Sequence, residues 1–235
     1  MRNYYKLTIK RLTMKIDRHG KAKILTIEEI QLLFNQGTDK DRDRVLFGIC
    51  LYTGCRINEC VTLQKIDVYD PYGRVRPELI LRKKNTKNKL ATRTIPVIEE
   101  LRLLLANYQT LPDNPYLFPG KGGQGHLNSD SGARLLKQAC RRIGLIGISS
   151  HSFRRTALTQ MSNAGIPLRI IQEISGHRNL EQLQRYLEVK PEQVRGAISS
   201  LSMLSHIQQD RDTTSESEIE KIDDPISEDK NSYKQ

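Results

Sequence analysis

The sequence predicts an α+β fold that is mainly helical and carries one small antiparallel β-hairpin. Two observations carry that expectation. Apolar residues recur at three- and four-residue spacing through most of residues 23–205, the period of a helix with one buried face. Over residues 78–97 the pattern changes. Leu79-Ile80-Leu81 and Thr94-Ile95-Pro96-Val97 flank a basic connection, residues 83–89, whose asparagines suit a turn between two short strands.

Residues 1–22 form a basic lead-in without a helical period. Thr26-Ile27-Glu28-Glu29 reads as a capping box, opening a helix with Ile27, Ile30, Leu33 and Phe34 as its apolar face. A second helix is expected over residues 39–52, with Gly54 as its stop. Arg56 then begins a third, short helix that carries Ile57, Cys60 and Leu63 inward. Free backbone N–H groups at that helix start favour an anion. After the hairpin, residues 97–108 return to helical period through Ile98, Leu101, Leu104 and Leu105. Gly120-Lys121-Gly122-Gly123-Gln124-Gly125 reads as a flexible linker, since a phosphate cradle needs the Gly-Lys-Ser/Thr that is missing here. Further helices are expected over residues 130–144, from Ser149 through Ser162 with Gly165 as terminator, and from Pro167 in a first-turn position to Gly176. Asn179 and Gln182 can cap a turn bearing Tyr186. Beyond Pro191, one side of a final helix presents Val194, Ile198, Leu201 and Leu204. The stretch after it is too rich in Ser, Asp and Glu to order itself by apolar burial. The expected organisation is a lead-in over 1–22, a catalytic body over 23–205 and an acidic, disordered tail over 206–235.

Charge is unevenly placed. The 235 residues carry a formal charge of +11. Residues 206–235 hold nine acids against four bases, a net of −5, which leaves residues 1–205 at +16. A body so basic points to a polyanionic partner, because lysines and arginines release counterions from phosphates; a ribosomal or membrane-surface protein shares that property. The basic N-terminus lacks the apolar core of an export signal, and the longest apolar run, residues 45–52, is too short to span a bilayer. A cytoplasmic protein is expected. Cys50, Cys55, Cys60 and Cys140 show no CxxC spacing and read as buried thiols of a reducing compartment, neither zinc ligands nor disulfide partners.

The most telling residues are His151, Arg154, His177 and Tyr186, together with the distant Arg56. Arginine forks bind non-bridging phosphate oxygens bidentately. Imidazoles donate or move protons, and a tyrosine oxygen can form a phosphoester. Those types together suit covalent attack on a phosphodiester.

Their spacing carries more than their types. Thr53-Gly54-Cys55-Arg56-Ile57-Asn58-Glu59, His151-Ser152-Phe153-Arg154, Gly176-His177 and a tyrosine nine residues later resemble the boxes of the tyrosine recombinases, or phage-type integrases, in that family's order. The resemblance covers residues 23–205 and implies a mainly helical catalytic domain that cleaves and rejoins specific DNA sites. By it, Tyr186 attacks a strand to give a 3′-phosphotyrosyl link and a free 5′-hydroxyl, and a second 5′-hydroxyl reverses the step. Arg56 and Arg154 clamp the phosphate, His177 hydrogen-bonds it, and His151 accepts or positions the phenol proton. The family's acid is a hairpin lysine, which falls on Lys87, with Lys84 as the alternative. Glu59 orients a neighbouring base, or is an ordinary exposed helix acid. One phosphoester replaces another, so the family needs neither ATP nor a metal, and no cofactor is expected. Implied partners are double-stranded DNA with inverted-repeat sites, three further copies of the chain on paired sites (a monomer when free), and an accessory DNA-bending protein.

The chain departs from the family in one respect. About 22 residues precede the resembling region, where typical members carry a helical DNA clamp, so it resembles the short fimbrial-switch invertases. Two other classes remain open at this stage. A type IB topoisomerase shares the chemistry, and a non-catalytic regulator could use residues 157–175 as a helix-turn-helix.

Overall fold

The computed structural model describes residues 22–82, 92–187, 189 and 191–204. The lead-in up to residue 21, the hairpin connection with Lys84 and Lys87, and the acidic tail lie outside the described residues. The described residues divide after Glu188 into two units.

In the first unit, Thr26 caps α1 (Ile27–Leu32): its hydroxyl accepts from Glu29 N, and Glu29 returns to Thr26 N. Leu33 is buried as expected, but Ile27 is 66% exposed. The helix widens into a π turn (Leu33–Gly37), and Ile30 and Phe34 of the expected face pack against the core. α2 (Asp41–Thr53) follows and is buried along most of its length. Gly54 ends it at φ +62°, a left-handed backbone that glycine adopts without strain. α3 (Ile57–Val61) starts at once, with Arg56 as its N-cap.

Strands β1 (Glu78–Leu81) and β2 (Arg93–Pro96) pair antiparallel, with Leu79 opposite Ile95 and Leu81 opposite Arg93. Leu79, Leu81 and Ile95 face the core, the period-2 alternation of a one-sided sheet. α4 (Glu99–Ala106) buries Leu101 and Leu105. The glycine-rich segment is no linker. Asn114, nearly fully buried, donates Nδ2 to the carbonyls of Gly123 and Gly125 at 2.6 and 3.0 Å, and Pro119 bridges His126 across the loop. A closed, exposed turn results within the first unit.

The centre of the unit is α6 (Ser150–Asn163), which follows α5 (Ser129–Arg142). Eight successive residues, from Ser152 through Thr159, are buried, so this helix is packed on all sides rather than along one stripe. Phe153 stacks on Phe47 of α2 with ring centroids 5.6 Å apart. α7 (Leu168–Ser175) is preceded by Pro167, which stands at the N-cap rather than in the first turn, and is closed by Gly176 at φ +64°. α8 (Leu180–Gln184) is capped by Asn179, whose side chain accepts from Gln182 N. Tyr186 lies in the turn beyond it. A small second core of Leu158, Ile171 and Leu183 carries the Tyr186 segment.

In the second unit, the single helix expected past Pro191 is α9 (Pro191–Ser199), which tightens into a 3-10 turn (Ser200–Leu204). Val194, Ile198, Leu201 and Leu204 are all exposed. Among the described residues no helix is long and apolar enough to cross a membrane.

Candidate active site

Arg56, His151, Arg154, His177 and Tyr186 line one cleft of about 620 Å³, together with Ser150, Gly176, Arg178 and Arg185. Four separate elements deliver them. The N-cap of α3 holds Arg56 and the first two turns of α6 hold His151 and Arg154, three residues apart on one helix face. The α7 C-terminus presents His177, and the turn after α8 presents Tyr186.

Arg154 is the deepest of them, 1% exposed. Its Nη1 donates to the carbonyl of Gly54 at 2.6 Å and its Nη2 to that of Ser175 at 2.8 Å. The guanidinium thereby ties together the two helix C-termini that precede Arg56 and His177. Nε has no acceptor among the described residues. A buried donor left open is uncommon, and a ligand atom is a regular reason for one. Burial first, and then the charge of Arg56, pull Arg154 down to about 10, so it stays protonated at neutral pH.

His177 is buried, with Nδ1 2.7 Å from Ser175 Oγ and Nε2 3.2 Å from Arg154 Nη2. Gln172 Nε2 holds its carbonyl at 3.1 Å. Burial, with Arg154 and Arg56 beside it, lowers the imidazole to about 3, so the ring is neutral. It packs against the Tyr186 ring at 5.1 Å and 48°. The Tyr186 carbonyl accepts from Arg155 Nε at 3.4 Å and Thr159 Oγ1 at 3.3 Å. His151 is exposed at the rim.

Glu59 is 1% exposed and therefore not an ordinary surface acid. It accepts from Arg56 N at 2.9 Å and Arg56 Nη1 at 3.1 Å, and on its other side from Arg93 Nη2 at 2.8 Å. Burial pushes its carboxyl up, but Arg93 and Arg56 outweigh that and hold it below the usual range. Arg93 also donates Nε to the carbonyl of Ile174 at 3.1 Å. It lies so close to Gly176 that a Cβ there would meet Arg93 Nη1 at 2.7 Å. Arg93, Arg155 and Thr159 were not legible as site residues. Arg93 stands in a strand at the base of the basic hairpin, and Arg155 is hidden behind the more obvious Arg154.

The phage integrase family matches residues 23–193, and the chain belongs to that family. It is 30% identical over 190 residues to the tyrosine recombinase XerA of Pyrococcus furiosus, covering 79% of this chain and 64% of the relative. To XerD of Rhizobium meliloti it is 31% identical over 192 residues, covering 76% and 60%. The chain thus spans under two thirds of the length of either relative. The fold is similar to the crystal structure of XerA recombinase (TM-score 0.62, 22% identity, 78% of this chain and 65% of that one). It is also similar to XerH site-specific recombinase bound to difH substrate (TM-score 0.56, 21% identity, 75% and 53%).

Proposed function

We propose that the chain is a site-specific DNA recombinase that cleaves and rejoins strands through Tyr186. The observation that carries the reading is the open Nε of buried Arg154, in a cleft shared with Arg56, His177 and Tyr186. A phosphodiester oxygen is the acceptor that such a fork suits.

The Tyr186 oxygen attacks phosphorus, one P–O bond forms to the phenol, and the bond to the 5′ oxygen breaks. Charge grows on the non-bridging oxygens as phosphorus becomes five-coordinate, and Arg56 and Arg154 stabilise it from fixed positions. Neutral His177, held through Nδ1 at Ser175 Oγ, is a hydrogen-bond partner of the same phosphate. His151 receives the phenol proton. Lys87 protonates the leaving 5′ oxygen, with Lys84 as the alternative. Attack by a 5′-hydroxyl of another strand reverses each bond change, so the phosphoester count is conserved.

The partner is double-stranded DNA carrying inverted-repeat sites, in keeping with the similarly folded Tn1549 transposon integrase in complex with a circular intermediate DNA and with the +16 charge of residues 1–205. We place the catalytic body at residues 23–205. The exposed stripe on the Pro191–Ser199 helix and the turn after it serves as a docking edge for a second copy: a monomer in solution becomes a tetramer on paired sites, assisted by a DNA-bending protein.

A nicked duplex that lets the cleaved end diffuse away tests the activity. The wild-type chain should accumulate a covalent DNA adduct that maps to Tyr186, and Tyr186→Phe should bind the duplex without forming one. An adduct surviving in Tyr186→Phe, mapped to Tyr108 or Tyr116, overturns the reading. Relaxation of supercoils without partner exchange would assign the same chemistry to a topoisomerase.

A further inference from the structure

Three cysteines outside the cleft come together at the α2–α3 corner. Cys50 on α2, Cys55 in the turn and Cys60 on α3 are each 0% exposed, and their sulfurs all lie within 4.8 Å of one another. The sequence separates them by five residues each time, which is no metal-binding signature, and only the sharp turn at Gly54 brings them together. We propose that Cys50, Cys55 and Cys60 form a binding site for a trivalent thiophilic ion, arsenite-type As(III), beside the turn that carries Arg56.

The geometry sets the coordination number. A bond of about 2.3 Å to each sulfur, in the pyramidal arrangement of three-coordinate As(III), holds the sulfurs about 3.5 Å apart, so a triad whose sulfurs lie within 4.8 Å of one another closes by at most about 1.3 Å. Among the described residues no fourth donor joins the three, which disfavours the tetrahedral sites of zinc. Charge selects the valence. Three thiolates on a divalent ion leave a net negative charge in a fully buried pocket, at a large desolvation cost. Three thiolates on a trivalent ion are neutral.

Sulfur chemistry at the corner fits ligation. Three buried thiols that meet at one point offer three sulfur donors, and thiolate is the ligating form. Loading is an exchange without oxidation. Three As–O bonds of arsenous acid break, three As–S bonds form, and each thiol proton leaves with a hydroxide as water. Cys55 directly precedes Arg56, so a bond made by its sulfur bears on the backbone that places the arginine.

The test uses the reduced full chain, sodium arsenite as the probe, and no DNA, so its outcome is separate from that of strand cleavage. Native mass spectrometry should find one arsenic per chain with three protons lost. Cys50→Ala, Cys55→Ala and Cys60→Ala should each weaken retention by at least the roughly tenfold that loss of even an outer-shell partner brings, while Cys140→Ala retains it. X-ray absorption at the arsenic edge of the wild-type chain should show three sulfur neighbours and no oxygen, a readout that does not depend on any variant folding. Absence of arsenic, arsenic with oxygen or fewer sulfurs, retention by a variant lacking all three cysteines, or a disulfide among them in freshly isolated reduced-cell protein overturns the proposal.

Discussion

Glu59 and Arg93 meet 34 residues apart in sequence, Nη2 to Oε2 at 2.8 Å, and their pairing fixes the base of the hairpin to the helix that Arg56 caps. Arg93→Gln leaves the buried carboxylate with one partner instead of two. Breaking a buried pair costs about 3 kcal/mol or more, so the unfolding midpoint should fall. If Arg93 also positions the site, single-turnover cleavage measured well below that midpoint should drop while DNA affinity changes little. Unchanged cleavage in the folded variant would leave Arg93 a purely structural residue.

Arg154→Lys should bind DNA but cleave it at least about a hundredfold more slowly, the loss seen when one preorganised oxyanion donor is removed. An ammonium cannot hold the Gly54 and Ser175 carbonyls and a phosphate together. A rate within about tenfold of wild type, worth roughly 1.4 kcal/mol, would place the phosphate elsewhere.

His177 makes stability depend on pH. Its folded-state pKa is lowered to about 3, whereas an unfolded histidine titrates near 6.5. The unfolded chain therefore takes up the proton first, and stability falls as pH drops below about 6.5 and keeps falling towards 3. Urea unfolding of the free chain should lose about 1.4 kcal/mol from this group between pH 7.5 and 5.5. His177→Asn should lack that part of the loss; equal slopes would show that His177 protonates in the folded state.

Lys87→Ala should fail on ordinary DNA and recover on a substrate with a 5′-bridging phosphorothiolate, whose sulfur leaves without a proton. Rescue of Lys84→Ala instead moves the acid three residues upstream.

Removing residues from Val189 onward should abolish assembly on paired sites while leaving cleavage of a single site, as read by gel shift and adduct formation. Cooperative assembly by the shortened chain would deny the docking role to Val194, Ile198 and their neighbours.

Local signals in the sequence were reliable where they were chemical. Thr26, Gly54, Gly176 and Asn179 mark real boundaries because caps and left-handed turns are decided by one or two residues. The sequence reading of Gly120–Gly125 as a linker failed because its closure depends on Asn114, a single distant amide. Five of the six expected site residues share the cleft; Lys87 lies outside the described residues. The supporting Arg93, Arg155 and Thr159 escaped notice because their meaning comes from backbone carbonyls and a carboxylate that only tertiary packing brings near.

Arg56, Arg93 and Arg154 surround one carboxylate, Glu59, beside an imidazole kept neutral by the same surroundings. The cluster holds a surplus of two positive charges. An intact phosphodiester supplies one negative charge; the five-coordinate phosphorus midway through transfer approaches two. By the proposed chemistry, attraction to this cluster is therefore greater at the top of the barrier than in the bound ground state, which is where it accelerates a reaction. Orthovanadate, which takes up trigonal-bipyramidal oxygen coordination, should accordingly hold the cleft more tightly than a phosphate diester of the same size.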